Sequence, residues 1–143
     1  MGQAREIFDQ WLALFEAGDF AQLGTVMQPD AAATMPGGMQ FRGPDELRPL
    51  LEAFHEAFPD LRHQIVDIVE SGDKIAVELR IACTHTGTLR TPQGDVPPTG
   101  RSVAWEQIDF VTLRDGKVAT WHTYFDQMAF LTQLGLLPAP EAV

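Results

Sequence analysis

The chain has 143 residues, 45% of them hydrophobic and 21% charged, a balance that suits one globular domain over 1–143 with a sizeable core. A formal net charge of −10 at pH 7 argues against partners that present nucleic-acid phosphate or an anionic membrane surface. The single cysteine, Cys83, excludes an intramolecular disulfide and fits a reducing compartment. The N-terminal MGQAREIFDQ lacks the apolar segment of a signal peptide, and no apolar run is long enough to cross a bilayer, so a cytoplasmic address is expected.

In chain order, AREIFDQWLALFEAGDF predicts a helix, with Ile7, Phe8, Trp11, Leu12, Leu14 and Phe15 at helical spacing and Gly18 ending it. Asp19 is placed to cap a short second helix through Met27, stopped before Pro29. DAAATMPGGMQFRG predicts two short extended pieces around Pro36, Gly37 and Gly38. GPDELRPLLEAFHEAFPD predicts a strong helix, with Pro44 near its start, Pro49 in its early turns, and a stripe of Leu47, Leu50, Leu51, Phe54 and Phe58.

After Pro59 the period changes to two. LRHQIVDIVE, DKIAVELRIACTHTG, RSVAWEQIDFVTL and KVATWHTYF predict four strands, with turns at Ser71–Asp73 and Arg114–Lys117. The Pro- and Gly-rich stretch TPQGDVPPTG predicts a wide connection. Gly135 stops a short last helix. Helices followed by an antiparallel meander make the class α+β. A cone-shaped curved antiparallel sheet covered by the N-terminal helices would enclose an apolar pocket for a small molecule.

Several polar residues fall in buried-looking rows. Gln107 and Asp109 share a face with Val103, Trp105, Val111 and Leu113, but the opposite row, with Ile108 and Phe110, is also apolar. Period alone leaves the pocket side open. His122 and Tyr124 point one way from their strand, Trp121 and Thr123 the other. Asp126 stands at a strand-to-helix junction, where it can cap the helix, work as a general acid/base in an apolar pocket, or do both. Burial would raise the pKa of such a carboxyl toward the range useful for taking a proton from carbon.

Each candidate has a structural alternative. Gln107 and Asp109 can be a satisfied core pair, His85 a strand end, and His122 and Tyr124 half-buried sheet residues. Trp11, Phe15, Phe54 and Phe58 are core residues by spacing and pocket-lining candidates by type. His55 and His63 have no evident partner. No HExxH, CxxC or His/Asp set has metal-ligand spacing, no glycine-rich phosphate or dinucleotide loop is present, and no serine sits in a GxSxG elbow. A chemistry that needs no metal is therefore expected, and Cys83, among aliphatics, is expected to be inert.

The segment from FRGPDELRPLLEAFHEAFPDLRHQIVDIVESGDKIAVELRIACTHTG through PPTGRSV and RDGKV to YFDQMAFLTQLG resembles the SnoaL-like polyketide cyclases, of the ester-cyclase branch of the nuclear-transport-factor-two-like superfamily. The resemblance spans nearly the whole chain. It implies an α+β cone around a deep apolar pocket, a homodimer or homotetramer, and closure of an aromatic polyketide ring by intramolecular aldol condensation without a cofactor. The family's acid/base aspartate lies just before the last helix, nine residues ahead of the QLG glycine, a spacing that Asp126 and Gly135 keep. Of the family's Gln and His two apart on the strand before the RDG turn, Gln107 is kept and Asp109 replaces the histidine. WHTYFD also resembles the limonene-epoxide hydrolases, which would match Asp126 and Arg80 but put the required second carboxylate at Ala82.

The leading expectation is a cofactor-free cyclase, or a related lyase or isomerase, acting on a small apolar carbonyl compound such as an aromatic polyketide. Asp126 would be the proton shuttle. Gln107 and His122 would hold the carbonyl, and Asp109 would orient His122 or raise the pKa of Asp126. His85, Trp105, Tyr124, Trp11, Phe15, Phe54 and Phe58 would line the substrate site. An epoxide hydrolase, a ketosteroid-isomerase-like enzyme and a non-catalytic module for a lipophilic ligand are the alternatives.

Overall fold

In a computed structural model, residues 2–91 and 93–138 are described. Helix α1 (Gln3–Ala17) buries Ile7, Phe8, Trp11, Leu12 and Phe15, the stripe that its spacing predicts. Gly18, at φ 71°, takes the left-handed turn that ends it, and donates its N–H to the Phe15 carbonyl. The expected second helix is only a 3₁₀ segment, Phe20–Thr25, and the Asp19 side chain caps nothing. Phe20 and Leu23 anchor that segment in the core, and the chain then extends at once into strand β1 (Met27–Met35). Pro29 is tolerated in β1 because the pairing with its neighbour is interrupted between Met27 and Ala32, so no ladder N–H is missed.

Strand β2 (Met39–Arg42) folds back on β1 around the predicted Pro36–Gly38 turn. Helix α2 (Gly43–Ala57) runs through Pro49. Pro49 and Asp45, whose carbonyl loses its helical partner, both lie on the exposed side, where water can serve instead. The four predicted strands are β3 (Arg62–Ser71), β4 (Lys74–Thr84), β7 (Ser102–Arg114) and β8 (Lys117–Phe125). The wide connection expected between β4 and β7 contains a small hairpin, β5 (Leu89–Thr91) and β6 (Gly94–Val96). Buried Leu89 and the bridges from Arg90 to Glu56 and Asp95, both at 3.1 Å, hold it.

The main sheet has the order β2-β1-β8-β7-β4-β3. Its β3–β4–β7–β8 portion is the antiparallel meander, and β1 joins β8 in parallel, which the sequence pattern does not reveal. The odd-numbered residues of β4 and β7 face the helices and are buried, save half-buried Gln107; the even-numbered ones face out. Cys83 is on the inner side, where burial pushes its thiol up to about 12, in keeping with an inert role. Helix α3 (Gln127–Gln133) closes the chain's described part, and Gly135 takes φ 78° just beyond it. Among the described residues, no helix is long and apolar enough to cross a membrane.

Candidate functional site

Between the inner sheet face and helices α1 and α2 lies a half-open cavity of about 140 Å³. Trp11 and Phe15 from α1, and Phe54 from α2, form one wall; Trp105, Gln107 and Asp109 of β7, with Trp121 and Thr123 of β8, form the other. Exposed Met39 and Gln127 mark its mouth, between the β1–β2 turn and the start of α3. Apart from His63 of β3, the rest of the lining is apolar, so the polar atoms within it stand out.

Asp109 is the carboxylate inside, with 2% of its surface exposed. Two donors converge on one of its oxygens. The Gln107 Nε2 amide reaches Oδ1 at 2.9 Å and the Thr123 hydroxyl reaches it at 3.0 Å. Each donor is itself oriented by an indole: Trp105 Nε1 donates to Gln107 Oε1 at 3.0 Å, and Trp121 Nε1 donates to Thr123 Oγ1 at 3.0 Å. The arrangement follows from strand geometry. Trp105, Gln107 and Asp109 alternate on one face of β7, and Thr123 stands directly across from Asp109 on β8.

With Oδ1 occupied as a double acceptor, a proton on this carboxyl belongs on Oδ2. Oδ2 receives none of these bonds and is not among the sealed polar atoms that lack a partner, while the Trp121 indole, close to the carboxyl, adds to the pull of the donors on its charged form. Burial pushes the pKa of Asp109 up to about 7, against the pull of the Gln107 and Thr123 donors. Near neutral pH the group can thus take up or release a proton through an oxygen open to the cavity.

Five of the expected site residues lie off the cavity, three of them, Asp126, His122 and Tyr124, outside it. Asp126 does not enter the cavity: it is exposed at the head of α3, and its Oδ1 accepts the Ala129 N–H at 3.0 Å. Its spacing from Gly135 brackets a helix, cap to stop, so the pocket carboxylate is Asp109. His122 and Tyr124 lie on the outer face of the sheet, as the alternation with buried Trp121 and Thr123 requires, and Tyr124 is 58% exposed. Asp109 therefore neither orients His122, which sits opposite Phe110, nor adjoins Asp126 inside a pocket. Gln107 does line the cavity, but its amide is oriented between Trp105 and Asp109 rather than left free to hold a carbonyl.

Among the expected lining residues, Trp11, Phe15, Phe54 and Trp105 are on the cavity wall. Phe58 and His85 are not; both are fully buried beneath it, rings 5.3 Å apart. His85 instead joins the two loop motifs. Its Nδ1 accepts the Thr99 N–H at 3.2 Å, and its carbonyl accepts the Gly100 N–H at 2.8 Å. Thr86 and Gly87 donate their N–H groups to the Ala57 carbonyl, so THTG and PPTG clamp the loops onto the end of α2. Arg80 is on the outer face beside Glu106 at 3.6 Å, so Arg80 and Asp126 do not meet in the cavity as an epoxide-opening pair would.

The sequence reading missed Thr123, Trp121 and His63, all on the cavity wall. For the first two the signal was present: they alternate with His122 and Tyr124, and the face carrying Trp121 is the more apolar. For His63 the signal was weak, since its partner Glu16 is 47 residues away. Among the described residues no group of three His, Cys, Asp or Glu side chains gathers in a way that could hold a metal ion.

A family model for the SnoaL-like polyketide cyclases matches residues 5–134. An aklanonic acid methyl ester cyclase of Streptomyces peucetius is 28% identical over 112 residues, covering 74% of each chain. Among solved structures, IdmH from Streptomyces antibioticus, a proposed polyketide cyclase, superposes with a TM-score of 0.77 at 26% identity, over 94% of this chain and 99% of that one. A proposed SnoaL-like cyclase from Jannaschia sp. CCS1 gives a TM-score of 0.82 at 22% identity, over 95% and 94% of the two chains. A limonene-epoxide-hydrolase-like enzyme of M. tuberculosis gives 0.70 at 17%, over 92% and 89%. The last two likenesses are of fold alone.

Proposed function

This chain belongs to the SnoaL-like polyketide cyclase family, and from that premise we propose that it is a cofactor-independent cyclase whose acid/base is Asp109. The observation that carries this reading is the Asp109 carboxyl, buried, with Oδ1 held by Gln107 and Thr123 and Oδ2 left to the cavity. The substrate is a small, largely apolar compound with two carbonyl groups, of the aromatic polyketide ester class. Ionised Asp109 takes a proton through Oδ2 from the carbon next to one carbonyl. The resulting enolate carbon attacks the second carbonyl of the same molecule and closes a ring. The new alkoxide then takes the proton back from Oδ2. No atom is lost, and the carboxylate is regenerated.

The side chains around Asp109 suit these steps. The two donors on Oδ1 steady the ionised form, while the aromatic wall disfavours charge, so neither form dominates near neutrality. The aromatic wall also keeps water from quenching the enolate.

The test is turnover of an aromatic polyketide methyl ester, with aklanonic acid methyl ester as the first substrate because a relative is named for it. Asp109→Asn should slow ring closure by about 10²- to 10⁴-fold while leaving binding largely intact. Unchanged turnover in that variant refutes the assignment. Tight binding by the unsubstituted protein without conversion would favour a lipophilic-ligand module instead.

A second copy of the chain is the partner proposed for the outer sheet face. Ile108, Phe110 and Tyr124 are exposed there and contiguous, since Ile108 pairs with Tyr124 and Phe110 with His122. The Arg80–Glu106 pair at the edge of this patch supplies both charges, as a self-complementary interface needs.

A further inference from the structure

The cavity has a second titratable side chain, at the other end of its sheet wall from Asp109. His63, on β3, is 7% exposed and lines the same hollow. Glu16, in the last turn of α1, holds it twice: Glu16 Oε2 accepts the His63 backbone N–H at 3.0 Å and lies 2.9 Å from ring Nδ1. A carboxylate can only accept, so Nδ1 carries the hydrogen and Nε2 keeps its lone pair. Nε2 has no protein partner and is not among the sealed polar atoms. The edge of Phe15, with ring centroids 5.5 Å apart, fixes the plane of the imidazole. Burial holds the ring below its ordinary pKa despite Glu16, so it is neutral near pH 7.

The position sets what the ring can meet. His63 pairs with Ile81, Ile81 with Trp105, and Asp109 lies four residues further along β7. The two backbones are thus about 13 Å apart along the strands and about 10 Å across them, a span shortened by side chains that reach inward. One molecule of two or more fused rings can engage both ends.

We propose that the Glu16–His63 pair is a recognition point for a hydroxyl group of the ligand, with Nε2 accepting its hydrogen bond. It rests on reading the cavity as the substrate site, and narrows the substrate to a fused-ring carbonyl compound with a phenolic or enolic hydroxyl remote from the reacting carbon. His63 is then a positioning residue: it aligns the substrate and takes no part in proton transfer at the reacting carbon. Glu16 selects the tautomer that makes this possible.

The test compares 2-naphthol with 2-methoxynaphthalene, which keeps the oxygen but lacks the donor, by isothermal titration. The unsubstituted protein should prefer 2-naphthol by about 3- to 10-fold. His63→Phe should abolish the preference while still binding the methoxy probe. Nitrogen-15 NMR of the unsubstituted protein should show His63 protonated at Nδ1. Equal affinity for the two probes, failure of both to bind, a preference that survives His63→Phe, or an Nε2-protonated ring each overturns the proposal. If His63→Phe misfolds, the tautomer and the preference retained by Asp109→Asn decide the matter, since a preference lost in Asp109→Asn would place the hydroxyl on Asp109 and overturn the proposal. No turnover is involved, and Asp109→Asn should keep the naphthol preference, so failure of the cyclase assignment and failure of this one are separately visible.

Discussion

Asp109 combines a functional setting with a thermodynamic cost. Its carboxyl is raised in the fold from the ordinary 3.8 to about 7, chiefly by burial. The stability this gives relative to the unfolded chain is full below about pH 4 and is lost as pH rises toward and through 7, because the unfolded chain ionises first. At pH 8 the deficit is on the order of a few kcal/mol. Asp109→Asn should therefore flatten the pH dependence of stability between pH 4 and 7 and leave the protein more resistant to urea at pH 8, even as turnover collapses. An Asn can do this without strain, since its oxygen can accept from Gln107 and Thr123 while its amide faces the cavity. On the proposed mechanism, turnover by the unsubstituted protein should climb with pH to a half-maximum near 7, readable from a pH–rate profile. Alternation along β7 already puts Gln107 and Asp109 in one apolar row with Trp105. It does not say which face the helices cover, because Ile108 and Phe110 make the opposite row apolar too. Asp126 drew attention through its distance to Gly135, and that distance is real, but its physical meaning is a helix with a cap and a stop.

The elements differ in how much of themselves the chain declares. The long helices and the four long strands have strong periods and clear stops, and they form where the periods predict. The 3₁₀ segment, the β5–β6 hairpin and the parallel seat of β1 are short or non-local, and depend on tertiary contacts such as Arg90 with Glu56. For α3, loss of the Asp126 cap in Asp126→Ala should cost about 1 kcal/mol in a denaturation curve and leave turnover within a few-fold of normal. At the α2–loop clamp the backbones nearly touch. A Cβ on Gly87 would come 1.8 Å from the Glu56 carbonyl oxygen, which belongs to main chain and cannot swing away. Gly87→Ala should then lower the melting temperature by several degrees or more, measured by calorimetry, without a change at Asp109. The THTG and PPTG motifs owe their form to this clamp, so they speak for architecture rather than chemistry.

At the scale of the molecule, charge and shape pull in different directions. The outer sheet face offers Ile108, Phe110 and Tyr124 for self-association, while each copy carries a formal charge of −10. Repulsion between two such copies is screened by salt, so sedimentation should show the proposed dimer tightening from low to moderate ionic strength, and Phe110→Asp should leave a monomer that still melts cooperatively. The α+β class and the hollow beneath the helices are legible from the order and periods of the elements. The contents of the hollow are not, because they depend on which strand faces which: Thr123 against Asp109, Glu16 against His63. The cavity wall also includes all three tryptophans of the chain, Trp11, Trp105 and Trp121. Every indole fluorophore the protein owns therefore borders the guest, so with excitation selective for indole the arrival of any aromatic compound should alter the native emission spectrum with no background from a distant tryptophan. An unlabelled sample in a fluorimeter can screen for the missing substrate.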